Sequence, residues 1–330
     1  ALSKLSVEDK IVAGLFLCST QENEILTFLK PEWIYHAGLS IKDKLFLIDK
    51  DLVVQQIFPW KEECSEELHT ELFIESFLQQ PDLFLRIRPG NERQVKMNLK
   101  NAEIDFKSLG NSCLALSNNT KVDTVLEIDK VVVIQDYSSQ RVAEFFPINI
   151  DGTIKTVWDC CAASGGKSIL AKDVLTNIQL TVSDVRENIL FNLKKRFAAA
   201  GINNYKSFIA NLVDSKQFVT AESFDLIIAD VPCSGSGTWS RTPEQLYYFE
   251  QPKIDEYAKL QKDILKNIVK ALKPGSNLLY ITCSVFKKEN EGAIDFLKEN
   301  FNFKVIKMEL LKGYELKADS MFAALLQKQL

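Results

Sequence analysis

Phe224-Asp225-Leu226-Ile227-Ile228-Ala229-Asp230-Val231-Pro232-Cys233-Ser234-Gly235-Ser236-Gly237 is an apolar run that ends in an acid, a proline, a cysteine and two glycines. A short continuous apolar run stopped by Pro and Gly has the form of a strand buried on both faces, as strands of parallel sheets are. A second such run, Asn277-Leu278-Leu279-Tyr280-Ile281, leads into Thr282-Cys283-Ser284. Residues just past the carboxyl ends of strands line the ligand crevice of an open α/β sheet. Two thiols at these positions point to cysteine chemistry on a bound substrate.

Outward from these runs, the sequence after Phe145-Phe146-Pro147 alternates apolar strands with amphipathic helices, the pattern of a doubly wound parallel sheet. Thr156-Val157-Trp158, Leu180-Thr181-Val182 and Ser207-Phe208-Ile209 are the first three strands, and the cysteine runs are the fourth and fifth. Ile189, Leu190, Leu193 and Phe197 share one face of a helix closed by Gly201, and Leu260, Ile264, Ile268 and Leu272 share another that Lys273-Pro274-Gly275 stops. Met321 to Leu326 suits a late strand. Upstream, Leu83 to Ile87, Cys113 to Leu116 and Val131 to Gln135 are short strands of a small α+β unit. The first eighty residues read as helical, with Glu24 to Leu29 one helix and Glu62 to Leu78 another, burying Leu68, Leu72, Phe73 and Phe77. The expected organisation is therefore 1–80, 81–136 and 137–330.

With 330 residues and a 46% hydrophobic fraction, the chain can bury a substantial core. No run approaches the roughly 20 apolar residues of a membrane span, no signal peptide is visible, and a soluble, cytoplasmic monomer is expected. The chain begins at Ala1 without a methionine, so a missing N-terminal segment is allowed for. Seven cysteines at irregular spacing fit a reducing compartment, and without a Cys-x-x-Cys pair or a nearby histidine no metal site is expected. Cys18, Cys64 and Cys113 read as buried packing residues, and Cys160 and Cys161 should face opposite ways at a strand end. A net charge of −4 excludes bulk electrostatic coating by nucleic acid but not a local basic face. Arg86, Arg88, Arg93, Lys96 and Lys100 make Pro81 to Lys100 the candidate stretch for phosphate contacts, with a solvated charged face as the competing reading.

Asp159-Cys160-Cys161-Ala162-Ala163-Ser164-Gly165-Gly166-Lys167-Ser168 leaves the first strand and opens a helix, where small residues let the backbone approach a ligand. Gly166-Lys167-Ser168 also has the form of the end of a nucleoside-triphosphate loop, but the first glycine of that motif falls at Cys161. Asp184, at the end of the second strand, is placed to accept ribose hydroxyls; alone it is read equally well as a cap of the helix that follows. Combined with the loop, it favours a nucleoside ligand. A nicotinamide cofactor is disfavoured because G-x-G-x-x-G is absent.

Together these motifs resemble the Sun (Fmu) group of the Nol/Nop/Sun family of RNA cytosine-carbon-5 methyltransferases, from about Leu83 to the C-terminus. Leu85-Arg86-Ile87 is similar to the family's basic strand, Gln135-Asp136-Tyr137-Ser138-Ser139-Gln140 to its linker motif, and Cys161 to Lys167 to its cofactor loop. The Cys233 and Cys283 motifs, with Glu289-Asn290 following, are similar to its two catalytic-cysteine motifs. Ser164 stands where the family usually has proline, and Asn211 where it usually has an aspartate reaching the adenine. The resemblance implies an α/β, Rossmann-like S-adenosylmethionine-dependent methyltransferase fold with a small α+β RNA-binding subdomain and an N-terminal helical extension.

By the same resemblance, S-adenosylmethionine is held by Cys161, Ala162, Ala163, Ser164, Gly165, Gly166, Lys167, Asp184, Asn211 and Asp230. Cys283 adds to carbon 6 of cytosine, Cys233 assists loss of the carbon-5 proton and product release, Asp230 meets the base edge, and Lys167 helps hold the base. A thiol near its free pKa of ~8.5 needs a cation or helix N-terminus to become thiolate, and Lys167 is the candidate by motif. Carbon 6 is not accessible within a stacked helix, so the target is single-stranded or flipped out. Arg86, Arg88 and Arg241 are expected RNA contacts, with Trp239 and Tyr247 as candidate stacking partners and core packing an equal reading for Tyr247. The implied substrate is RNA, small-subunit ribosomal RNA first and transfer RNA second. A binding protein with structural cysteines and an NTPase are the readings from other classes.

Overall fold

The computed structural model describes residues 6–52, 54–147, 153–214 and 223–330. Seven strands form the main sheet: β5 (Thr156–Asp159), β6 (Gln179–Asp184), β7 (Tyr205–Ile209), β8 (Phe224–Asp230), β9 (Leu272–Thr282), β10 (Phe303–Leu311) and β11 (Met321–Lys328). Their order is β10-β11-β9-β8-β5-β6-β7. The five strands from β5 to β9 pair in parallel, and β11 enters antiparallel between β9 and β10. The order reverses between β5 and β8, so the crevice opens at the carboxyl ends of those strands, where Asp159, Asp230 and Thr282 lie.

Each central strand alternates its side chains between two cores, which is why its sequence is apolar throughout. Trp158, Ile227, Ala229, Leu278 and Tyr280 pack beneath the helices α11 (Pro252–Ile268) and α12 (Glu291–Phe301). Val157, Leu226, Ile228, Leu279 and Ile281 pack on the other face with α8 (Gly166–Leu175) and α9 (Glu187–Ala199). The strand that begins at Leu272 runs through Lys273-Pro274-Gly275, expected only as a stop. Gly275 takes φ +75°, and the β8–β9 register shifts between Phe224 and Leu226, so the turn is absorbed as an irregularity of the strand.

A second, antiparallel sheet has the order β2-β3-β1-β4, from β1 (Leu83–Ile87), β2 (Lys107–Ser108), β3 (Cys113–Leu116) and β4 (Val132–Ile134). Helix α6 (Glu92–Asn101) covers one face through Val95 and Leu99. The helices before it are α1 (Val7–Cys18), α2 (Glu24–Leu29), α3 (Pro31–Ile34), α4 (Ile41–Ile48) and α5 (Thr70–Ser76). The expected helix from Glu62 to Leu78 is thus confined to α5, and Leu72 is exposed. The physical reason lies in residues 63–65, which extend along the loop beyond β9: Ser65 N–H donates to Val285 C=O and Lys287 N–H to Glu63 C=O. Phe58 and Trp60 close over the same loop, with ring centroids 5.9 Å between Phe58 and Phe286 and 5.8 Å between Trp60 and Trp239. Cys64 and Cys113 are buried as expected, whereas Cys18, at the end of α1, is exposed.

Candidate active site

The two thiols meet. Cys233 and Cys283 extend from the neighbouring strands β8 and β9, and their sulfurs are 3.2 Å apart, both cysteines free. Backbone bonds hold the two strand ends together: Val231 N–H donates to Ile281 C=O and Gly237 N–H to Cys283 C=O. Gly237 is obligatory, because a Cβ there would run into the Ser320 carbonyl, which belongs to the segment that bonds back to it. Beneath the thiols lies the fully buried Glu289. Its carboxylate accepts from Ser234 N–H at 2.9 Å, Gln261 Nε2 at 2.9 Å and Ser284 Oγ at 2.7 Å, joining both cysteine loops to α11. Asn290 completes the fastening through Thr282 Oγ1 and Ser284 C=O. The sequence marks Glu289-Asn290 only as a pair after Cys283; the partner fifty-five residues earlier gives no local signal.

The Cys233 thiol is pushed well up, first by its contact with the Cys283 sulfur, then by burial and the Glu289 carboxylate. The upward push disfavours a Cys233 thiolate, and either sulfur can be the donor in the contact between them. Lys167, expected to activate a thiol, is engaged elsewhere: its ammonium reaches Ser139 Oγ at 2.7 Å and Asp230 Oδ2 at 3.1 Å.

A cavity of about 430 Å³ runs from the thiols to Asp184. Its wall includes Cys161, Ala163, Asn211, Asp230 and Pro232, with Leu260 and Ile264 of α11 on the far side. Of the loop after β5, Cys160, Cys161 and Ala163 line this space, Cys160 from a buried position and the other two more openly. Ala162 and Gly165 are turned into the protein, and Ser164 is bound by Arg196, which donates to its carbonyl and hydroxyl at 3.1 and 3.0 Å. Gly165 takes φ +87°, and a Cβ would meet Phe197. Gly166 opens α8 with free space where a Cβ would be. Ala163 is itself left-handed at φ +46°, a conformation unfavourable for alanine, and its N–H is tied to Asp184 Oδ2 at 3.0 Å.

Asp184 also accepts from the backbone and side chain of Arg186. Although burial pushes it up, these bonds hold its carboxyl below the usual carboxylate range. The Arg186 side chain is 56% exposed, whereas that of Asp184 is buried. Asn211 lines the cavity with its side-chain oxygen accepting from Val213 N–H at 3.2 Å. At the loop's base, Asp159 is fully buried, accepts from Ser168 Oγ and leaves Oδ1 without a protein donor. Burial pushes its carboxyl up to about 7.

The three arginines expected to meet RNA are all engaged by carboxylates of this chain, Arg86 buried, Arg88 half-buried and Arg241 at the surface. Arg86 is buried, donating to Gln135 Oε1 at 2.7 Å and Asp173 Oδ2 at 2.6 Å. Arg88 joins the same Asp173 at 2.8 Å and reaches the Ala200 carbonyl, fastening the small sheet to α8 and α9. Arg241 bridges Asp136 and Asp319 at 2.9 and 2.8 Å. Trp239 is likewise not a stacking surface: it is fully buried among Phe58, Trp60, Phe249 and Phe286. Tyr247 is exposed, and so is Tyr248 beside it, with ring centroids 4.9 Å apart.

A parallel sheet with an antiparallel hairpin strand inserted next to its edge, and a nucleoside-sized cavity at the reversal point, is the Rossmann-like fold of S-adenosylmethionine-dependent methyltransferases. Residues 151–327 match the 16S rRNA methyltransferase RsmB/F family, and the chain belongs to it. It is 28% identical over 232 residues to ribosomal RNA small subunit methyltransferase B of Xanthomonas campestris pv. campestris, covering 68% of this chain and 52% of that protein. It is 31% identical over 197 residues to ribosomal RNA small subunit methyltransferase F of Shewanella loihica, covering 58% and 40%. The chain thus spans about half the length of these curated relatives. Among solved structures, PH0851 superposes with a TM-score of 0.73 at 24% identity, over 92% of this chain and 75% of that one. NSun6 from Pyrococcus horikoshii with SFG superposes with a TM-score of 0.66 at 14% identity, over 83% and 96%.

Proposed function

We propose that this chain methylates carbon 5 of cytosine in RNA, with small-subunit ribosomal RNA as substrate and S-adenosylmethionine as donor, through a covalent bond from Cys283 to carbon 6. The observation that carries this reading is the pair of sulfurs 3.2 Å apart at the end of a cavity that also holds Asp184. One thiol accounts for the attack on the base; the second, placed beside it, accounts for a proton acceptor at the later elimination.

The residues fit the donor. Asp184 offers acceptors for ribose hydroxyls once Arg186 swings out, Asn211 offers an amide to the adenine, and the Cys161 and Ala163 wall leaves room beside them. The relative NSun6 is solved with SFG, an analogue of S-adenosylmethionine, on the same fold. When bound, S-adenosylmethionine supplies the methyl group to carbon 5. The protein's own steps surround that transfer. Cys283 sulfur forms a bond to carbon 6, and the displaced ring electrons make carbon 5 a nucleophile while Asp230, backed by Lys167, meets the base edge where charge develops. Cys233 then assists removal of the carbon-5 proton, the electron pair returns to the ring, and the carbon–sulfur bond breaks. With Arg86, Arg88 and Arg241 each paired with carboxylates of this chain, phosphate contacts fall to Arg93, Lys96 and Lys100, spaced along one face of α6, and base stacking to the exposed Tyr247.

The test uses substrate RNA and S-adenosylmethionine on a denaturing gel. Cys283→Ala should neither methylate nor cross-link, whereas Cys233→Ala should accumulate a slow-migrating protein–RNA adduct. A trapped band from Cys283→Ala would exchange the two roles, and wild-type methylation by both variants would make the thiols structural. Ribosomal and transfer RNA run in parallel identify the substrate class.

A further inference from the structure

Lys167 is more than nine-tenths buried, yet among the described residues its ammonium pairs with a single carboxylate oxygen, Asp230 Oδ2 at 3.1 Å. Its shorter contact is neutral: Ser139 Oγ, at 2.7 Å. Ser139 belongs to α7 (Tyr137–Arg141), which precedes the catalytic sheet. The same hydroxyl accepts a second hydrogen bond, from Gln135 Nε2 at 3.1 Å, while Gln135 Oε1 accepts from Arg86 Nε at 2.7 Å. Gln135 is itself held at both ends, since its own carbonyl accepts from Gln140 Nε2 at 2.8 Å. A series of hydrogen bonds therefore runs from the Arg86–Asp173 ion pair through Gln135 and Ser139 to Lys167, which closes it with an ion pair to Asp230.

The donor and acceptor inventory fixes the direction of every link. Arg86 and the Gln135 amide nitrogen can only donate, so the Ser139 oxygen has both lone pairs occupied, one by Gln135 and one by Lys167. A four-carbon lysine stem is flexible and its ammonium is a point charge with three rotatable donors, so without a second acceptor it is free to settle between the two oxygens of a carboxylate. Ser139 prevents this by holding the ammonium back, so that among the described residues it meets Asp230 through Oδ2, with the carboxylate at the wall of the cavity.

We propose that Ser139 is a positioning residue for the Lys167–Asp230 pair, with Gln135 and Arg86 setting its place from the small sheet. It acts through those two side chains and makes no bond to the base. The inference rests on the proposed methyltransferase reading, and its effect belongs to the chemical step: binding of RNA and donor is unchanged, while the base edge meets a carboxylate whose second oxygen has been taken by the lysine.

The experiment is single-turnover methylation of RNA by wild type, Ser139→Ala and Ser139→Thr, with thermal melting and RNA affinity measured on each. Ser139→Ala should lower the methylation rate roughly tenfold or more, as expected for a misplaced catalytic group, with KM for RNA and the melting temperature within error of wild type. Ser139→Thr, which restores the acceptor, should recover most of the rate. An unchanged rate in Ser139→Ala overturns the proposal, as does a loss confined to KM or a failure of Ser139→Thr to recover. Gln135→Glu is the second variant: it removes the donor to Ser139 but keeps an acceptor for Arg86, and should lower the rate with the same unchanged KM. A wild type that forms no methylated product and no adduct would refute the reading of the site itself, an outcome distinct from normal activity in Ser139→Ala.

Discussion

Replacing Asp173 by alanine tests the reassignment of Arg86 and Arg88 from RNA contacts to internal anchors. The Asp173 and Arg86 side chains are each only 6% exposed, and Arg86 Nη2 already lacks a protein acceptor. Asp173→Ala leaves that guanidinium charged, buried and without its counterion, while Arg88, more exposed, keeps its carbonyl partners. Breaking one half of a buried ion pair costs about 3–5 kcal/mol. With an m value of about 3 kcal/mol/M, the urea midpoint should fall by roughly 1–2 M. Replacing both members by apolar residues removes the stranded charge, so Arg86→Met with Asp173→Leu should regain most of the loss. Urea unfolding followed by circular dichroism reads the three proteins. RNA binding against salt for the double variant reads the other half: because Arg86 neutralises no phosphate, the slope should match wild type. A wild-type midpoint for Asp173→Ala would refute the anchor, and a shallower salt slope would return Arg86 to the RNA path.

Asp184→Ala should weaken S-adenosylmethionine binding in titration calorimetry by about 1–3 kcal/mol, the worth of a hydrogen bond to a charged group, whereas Arg186→Ala should not weaken it; equal losses in both would mean that Arg186 holds the ligand. Burial pushes Asp159 up to about 7, so between about pH 4 and 7 the folded protein keeps a proton that the unfolded chain has released, and stability falls as pH rises through that window. Asp159→Asn should flatten that decline in melting temperature without abolishing it, because Asp319, pushed up to about 7 by burial and Asp136, acts with the same sign. A slope equal to wild type would show that Asp159 does not hold the proton.

The parallel sheet was legible because strands buried on both faces are written as uninterrupted apolar runs. Val157, Leu226–Ala229 and Leu278–Ile281 all fill the two cores as that pattern requires. The resemblance to the Sun group holds at the level of family and fold. Strand β10 was not legible, since Lys304, Ile306 and Met308 alternate with half-buried neighbours at a sheet edge and lack the continuous run. The arginines misled for a different reason. Their charge is visible in the sequence, but Asp173 lies more than eighty residues away, and nothing local separates a guanidinium that meets phosphate from one that meets a buried carboxylate. Trp239 looked like a loop aromatic because its covering rings, Phe58 and Trp60, belong to the far end of the chain. Ser139 was legible only as part of the Gln135–Gln140 motif, because its contact with Lys167 joins residues 28 positions apart.

The seam of rings over the Cys283 loop bears on how this protein can be cut. A fragment beginning at Pro81 keeps every motif named in the sequence, yet it strips Phe58 and Trp60 from Trp239 and Phe286 and removes the backbone partners of Val285 and Lys287. Two fully buried aromatic side chains would then face water within a few residues of the thiol. The minimal expressible fragment therefore starts before Phe58, and a truncation series should show its sharp drop in solubility there, well inside what the motifs alone would mark as dispensable.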